Sequence, residues 1–264
     1  MHDSDLTPLL SDCTNEDLEP LVSYLSGPYT QALTRSDGYK KHHPNHRAYV
    51  DDIVHELQMF GGNTFMNILR GFRGVPYATI VRDVCYQLSV AYTDNDPIED
   101  LELRILQAVL MGALAKMDPK DLAALQAAFQ QAGLNNVSLS AGKPILVLLM
   151  QLGTRSAGFA AYQVAVIVAN SIARIVLGRG LTIAGNAVLT RTLGVLLGPM
   201  GLAITAVWTL IDLAGPAFRV TIPCVCHVAY LRLKKKFGDL GGTALPAGMA
   251  GPGGVPTLPP SPAT

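Results

Sequence analysis

Residues 50 to 62 read VDDIVHELQMFGG, and this stretch decides the class of fold. Its large apolar side chains recur every three or four positions, which is the spacing of one face of an α-helix. They are Val50, Ile53, Val54, Leu57 and Phe60. Gly61 and Gly62 follow directly, and glycine is typical of a helix C-terminus. The stretch therefore predicts an amphipathic helix over about residues 47–60.

The same spacing recurs on both sides of this helix. Thr14 can cap a helix on the N-terminal side, with Asp17 three residues later as an acidic variant of the capping box. Residues 27–46 are predicted to be a polar connection, and further helices follow at about 76–91 and 98–117. No alternating strand pattern persists, so we predict an all-α protein.

Four regions are expected along the chain. They are a short N-terminal helical domain (1–30), an acidic helical core domain (31–140), an apolar, Gly-rich helical hairpin region (141–237) and a flexible Gly/Pro-rich tail (238–264).

The net charge of zero conceals two halves of opposite sign. Residues 122–238 carry ten Lys/Arg and one acid, whereas residues 1–121 carry eighteen Asp/Glu and ten Lys/Arg. The positive half is also the apolar half, and that combination is typical of proteins that meet a membrane. The basic residues are scattered among aliphatic ones with few aromatics, so nucleic acid is an unlikely partner.

Two uncharged stretches predict a hairpin that enters a membrane. It would run over about 157–177 and 192–214, and residues 192–211 reach the length of a bilayer-spanning helix. The basic cluster at 232–236 would then lie on the cytoplasmic side. Gly198 to Gly201 interrupts the second arm, so buried helices of a globular domain remain the alternative. The candidate membrane contacts are Leu196, Leu197, Ile204, Val207, Trp208 and Leu210.

The N-terminus lacks the basic and apolar segments of a secretory signal peptide, which favours a cytoplasmic protein or one on the cytoplasmic face of the inner membrane. The four cysteines do not form a C-x-x-C motif, and we expect buried free thiols. They are Cys13, Cys85, Cys224 and Cys226. His227, within an apolar segment, is expected to be packed in the core.

Motifs of catalysis are sparse. The chain has no G-x-S-x-G motif, no phosphate-binding P-loop and no dinucleotide fingerprint. His43 and His46 are candidate metal ligands, with His55 and Glu56 downstream, but Met59 occupies the place of the second histidine in H-E-x-x-H. A solvated helix entry is the alternative interpretation. No cofactor is expected, and an enzyme is the less favoured reading.

Three blocks, taken together, resemble a known family. They are DSDLTPLLSDCTNEDLEPLVSYL (3–25), ELQMFGGNTFMNILRGFRGVPYATIVRDVCYQL (56–88) and RVTIPCVCHVAYLR (219–232). Their order and spacing are similar to those of the bacterial YaaW-like family, with its short N-terminal domain of unknown function. The matching positions are Glu56, Gln58, Phe60, Gly61, Gly62, Arg70, Gly71, Asp83, Arg219 and Pro223.

This resemblance implies no established activity. The family is grouped distantly with ubiquinol–cytochrome c chaperones, so it implies a chaperone role by analogy alone. At the matching positions, an ion pair of Glu56 or Asp83 with an arginine is expected to fix the helices rather than to catalyse.

Three functional hypotheses follow. The first is a non-enzymatic protein that associates with a membrane or a membrane protein complex. The second is a soluble chaperone or assembly-factor-like protein that binds a protein partner and uses its apolar region as its own core. The third is a pore-forming or toxic effector that inserts conditionally. An oligomer is compatible with each of them.

Overall fold

A computed structural model describes six segments of the chain: residues 3–27, 32–61, 74–131 and 158–181, then 215 and 217–238. The described residues form α-helices, and none of them lies in a β-strand, so the all-α prediction is confirmed. The second arm of the predicted hairpin and residues 239–264 of the predicted tail lie outside the described residues.

The helices follow one another with short connections. They are α1 (Thr7–Ser11), α2 (Asn15–Leu25), α3 (Ala32–Arg35), α4 (Asp37–His42), a 3-10 turn (His46–Tyr49), α5 (Val50–Gly61), α6 (Tyr77–Gln87), α7 (Ile98–Leu114), α8 (Pro119–Gln131), α9 (Gly158–Leu177) and α10 (Phe218–Phe237).

Local capping explains where α2 and α4 begin. The Thr14 hydroxyl accepts a hydrogen bond from the Asp17 backbone N–H at 3.2 Å, and the Asp17 carboxylate accepts one from the Thr14 N–H at 3.3 Å. This is the predicted capping box. The Ser36 hydroxyl accepts from the Tyr39 N–H at 3.2 Å and starts α4. The polar connection predicted over 27–46 therefore contains two short helices.

Helix α10 lies at the centre of the described helices. Every residue from Val220 to Leu231 is buried, and the helix packs against α2, α5, α6, α7 and α9. An apolar run of this kind, buried on all sides, is what a central core helix requires. The buried side chains of α10 belong to the same hydrophobic core as the described helices of the acidic half.

Helix α9 is the first arm of the predicted hairpin. Its described side chains from Ala161 to Ala173 are buried, and it packs mainly along α10, where the Tyr162 and Tyr230 rings stack at 6.2 Å. Among the described residues, no helix has both the length and the apolar character that crossing a membrane needs. In this structure the first arm fills the protein's own core.

Candidate functional site

The basic end of α10 is bound to acids from the N-terminal half. Lys234 Nζ lies 2.5 Å from Asp17 Oδ1, and Lys235 and Lys236 pair with Asp12 and Glu99. Lys235 holds the pKa of Asp12 below its ordinary value through a hydrogen bond and its charge. The cluster that was predicted to lie on the cytoplasmic side of a membrane is therefore largely neutralised within the molecule.

Arg232 belongs to a buried network at the same end. Its Nε donates to Glu102 Oε2 at 2.7 Å, its second nitrogen donates to Oε1 at 3.1 Å, and the Tyr77 hydroxyl donates to Oε1 at 2.9 Å. The side chain of Glu102 is 2% exposed and that of Arg232 is 15% exposed. Burial raises the pKa of Glu102, while hydrogen bonds from Arg232 and Tyr77 oppose that rise. The three groups join α6, α7 and α10.

Asp3 fastens the N-terminal segment to the same region. One oxygen of its buried carboxylate accepts from the Leu6 N–H at 3.0 Å. The other accepts from Gln58 Nε2 at 2.9 Å and from the Tyr77 N–H at 2.8 Å. Gln58 was singled out through the family block, and this contact supplies a physical role for it: it holds residue 3 against α5 and α6.

The histidines that the sequence proposed as metal ligands lie in an aromatic cluster. His46 is buried, with Nε2 at 2.6 Å from Glu19 Oε2 and Nδ1 at 2.5 Å from the Tyr49 hydroxyl. His43 is exposed and lies 3.5 Å from the same hydroxyl. Among the described residues no group of three or more His, Cys, Asp or Glu side chains is placed to hold a metal ion.

Glu19 connects this cluster to the end of α9. Its Oε1 accepts from Arg179 at 2.5 Å and from the Ser23 hydroxyl at 3.1 Å. Burial raises the pKa of Glu19, but hydrogen bonds from His46, Arg179 and Ser23 outweigh that effect and leave the pKa below its ordinary value. The carboxylate is thus held ionised between α2, the 3-10 turn and the residues after α9.

The four cysteines and His227 are buried in the core. The four cysteines are free and buried as expected, and burial raises the pKa of Cys13 and Cys226 to about 12 and that of Cys85 to about 11. His227 is packed as expected, with Nε2 donating to the Asp17 carbonyl at 2.8 Å. Burial lowers its pKa to about 4, so it is neutral near pH 7.

A second group of bases stays exposed. Lys40 and Lys41 lie in the last turn of α4, and Arg47 lies in the 3-10 turn. All three side chains are exposed, and within the described part of the chain they form no ion pair. We call these three residues the α4 basic surface.

The other predicted site residues are dispersed. Glu56 and Phe60 are buried in α5, Asp83 is half-buried in α6, and Pro223 is buried in α10. Gly61 packs so tightly that an added Cβ would lie 2.4 Å from Ile80, which explains the glycine at the end of α5. Arg219 lies in the first turn of α10. The ion pair predicted for Glu56 or Asp83 with an arginine remains a prediction.

Several predicted positions lie outside the described residues. These are Gly62, Arg70, Gly71 and the membrane-contact candidates Leu196, Leu197, Ile204, Val207, Trp208 and Leu210.

Sequence reasoning missed Asp3, Glu19 and Glu102. A signal for Glu102 was present: it occupies the apolar face of α7, in register with Ile105, Leu106 and Val109, and an acid on such a face needs a buried partner. No comparable signal marks Glu19, because its charged partner Arg179 and its partner His46 come from distant segments.

Comparison with known proteins identifies the family. The chain is 42% identical to a UPF0174 protein of Helicobacter pylori strain J99 over 206 residues, which cover 78% of this chain and 79% of the relative. It is 30% identical to the UPF0174 protein YaaW of Escherichia coli K12 over 246 residues, covering 88% and 94%.

The chain belongs to the UPF0174 family. A second Helicobacter pylori UPF0174 protein, from strain 26695, is 36% identical over 207 residues and is covered over 97% of its length. No protein-family model matches the chain, and no solved structure matches it. The resemblance to YaaW-like proteins is confirmed. The name UPF0174 states no reaction, so a function for this member has to rest on its own residues.

Proposed function

We propose that this UPF0174 member is a non-enzymatic helical protein that docks on a membrane or a membrane protein complex, at the cytoplasmic face of the inner membrane. Its described apolar helices stay in its own core, and its surface makes the contact. The protein would therefore be peripheral to the bilayer in its folded form.

The non-enzymatic part of the proposal is supported by the way the buried polar groups are used. Asp3, His46 and Glu102 each hold two or more partners within the fold. A general acid or base has to reach a substrate proton, and a nucleophile has to ionise near pH 7. The described thiols are buried with raised pKa values. His227 Nε2 donates a hydrogen bond to the backbone carbonyl of Asp17.

The membrane part is supported by composition and charge. Only 15% of the residues are charged, 49% are hydrophobic and the mean hydropathy is +0.30. A typical soluble domain has about 25% charged residues. In the described structure the four basic residues at the C-terminal end of α10 are paired with acids, so any electrostatic contact with headgroups depends on basic residues elsewhere on the surface.

A soluble, assembly-factor-like protein that binds a protein partner is the second candidate. The placement of α9 and α10 in a core shared with α2, α6 and α7 favours it, because that core needs no lipid to cover it.

Cell fractionation separates the two candidates. A docking protein is expected in the membrane fraction at low salt and in the supernatant after a high-salt or carbonate wash. Full recovery in the soluble fraction at low salt would overturn membrane docking and favour the second candidate. Retention through carbonate, together with leakage of dye from loaded vesicles, would instead favour the conditionally inserting effector.

A further inference from the structure

We infer that the α4 basic surface, formed by Lys40, Lys41 and Arg47, is the contact for anionic phospholipid headgroups. This inference rests on the proposed membrane docking and names the part of the protein that performs it. It places the contact in the acidic half of the chain, opposite to what the distribution of charge along the sequence indicated.

The two groups of bases differ in their partners. In α10, Arg232, Lys234, Lys235 and Lys236 each pair with an acid of the N-terminal half. At the α4 basic surface no such pairing is present among the described residues. Because a paired base has little attraction left for a phosphate, the unpaired bases dominate the field that an approaching membrane meets.

Few acids belong to this segment. Residues 32–49 carry four Lys/Arg and one acid, Asp37, with two histidines, His42 and His43, beside the lysines. Asp51 and Asp52 follow at the start of α5, and the Asp52 Oδ2 atom is buried. Arg47 also lowers the pKa of Asp12, whose carboxylate is already paired with Lys235. The segment therefore keeps a net positive charge.

The fold holds this segment in place. Tyr39 stacks on His43 at 4.5 Å between ring centroids and meets Tyr49 edge-on at 5.6 Å. The Arg47 N–H donates to Asn15 Oδ1 at 3.0 Å, which ties the 3-10 turn to the start of α2. Helix α4 has no buried residue, so its lysines project into solvent from a helix that these contacts hold in place.

Headgroups fit this surface better than nucleic acid does. Proteins that bind single-stranded nucleic acid offer exposed aromatic rings on which bases stack. Here Tyr49 is buried and Tyr39 is committed to the ring cluster. Clustered exposed Lys and Arg without such rings are typical of segments that bind anionic leaflets. Each Lys or Arg side chain contributes roughly fivefold in affinity for the membrane.

The test is sedimentation with phosphatidylcholine vesicles prepared with and without phosphatidylserine. The wild-type protein is compared with the triple variant Lys40→Gln, Lys41→Gln, Arg47→Gln. The matched control is Lys116→Gln, Lys120→Gln, Arg174→Gln, which removes the same number of lysines and arginines from exposed positions elsewhere. Circular dichroism melts establish that all three proteins fold.

We expect wild-type protein to bind phosphatidylserine vesicles and to be released by salt. The triple variant should lose affinity by about a hundredfold, and the control by about threefold or less. If wild type binds neither vesicle, the proposed docking function fails. If wild type binds and the triple variant binds equally well, or no worse than the control, docking stands but this surface is wrong. Tighter binding to a duplex oligonucleotide than to vesicles would overturn the lipid assignment in favour of nucleic acid.

Discussion

Replacing Arg232 with Met tests the buried network that joins α6, α7 and α10. The methionine fills much of the same volume but leaves the Glu102 carboxylate in the core, where the Tyr77 hydroxyl is its remaining hydrogen-bond donor among the described residues. Removing one member of a buried ion pair costs about 3 to 5 kcal/mol of unfolding free energy, because the remaining charge is desolvated without compensation. For a protein of this size the melting temperature should fall by roughly 10 °C.

The pH dependence of this loss identifies its cause. Burial already raises the pKa of Glu102, and removing Arg232 deletes the interaction that opposes the rise. A carboxyl with a raised pKa binds its proton more tightly in the folded state, so its stabilising effect exists below the unfolded pKa and is lost as pH rises through the folded pKa. The variant should therefore approach wild-type stability near pH 5 and fall behind it toward pH 8.

Urea unfolding of wild type and variant across this pH range measures both effects. The control is Lys236→Gln, which breaks a pair whose two side chains are each about half exposed, and it should cost about 1 kcal/mol or less. The double variant Glu102→Gln, Arg232→Met should recover part of the loss, since no charge remains buried. A loss below about 1 kcal/mol for Arg232→Met, or a loss that does not change with pH, would refute this account of the network.

Three further outcomes are expected. His227→Gln should reduce the loss of stability on acidification. Because the pKa of His227 is lowered to about 4 in the folded protein, the unfolded state binds the proton first as the pH falls. The free energy of unfolding of wild type should therefore fall by up to about 3 kcal/mol between about pH 6.5 and pH 4. Equal acid sensitivity of both proteins in urea titrations would contradict this. Asp3→Ala should cost about 2 to 3 kcal/mol by leaving the Gln58 amide and the Tyr77 N–H without their acceptor, whereas exposed Asp5→Ala should change little in thermal melts. A thiol reagent such as DTNB should label no cysteine rapidly at pH 8 until denaturant is added, because all four thiols are buried with raised pKa values; fast labelling of the native protein would show that the core opens.

Much of the fold could be predicted because helix signals are local. The apolar spacing of α5 and the capping box at Thr14 and Asp17 depend on residues within a few positions of each other, and both predictions are confirmed. The short helix α4 was missed because it buries none of its residues, so no apolar period marks it.

The candidate site was harder to predict because its contacts join distant parts of the chain. Glu102 and Arg232 are separated by 130 positions, and Asp3 and Tyr77 by 74. The two halves of the chain do carry opposite net charge, but a sequence does not show which acidic side chain will form an ion pair with which basic one. The basic cluster at 232–236 was predicted to lie on the cytoplasmic side of a membrane, and its partners Asp12, Asp17 and Glu99 are more than a hundred positions away along the chain.

The sequence by itself determined the helical class, the family and the buried thiols, since periodicity, block order and apolar context are all properties of neighbouring residues. Only the tertiary structure decided what the opposite charges do. By bringing α10 into the core of the acidic half, it turned one basic cluster into internal ion pairs and left Lys40, Lys41 and Arg47 facing solvent. The physical reason is that Coulomb attraction acts between groups a few ångströms apart in space, whatever their distance along the chain.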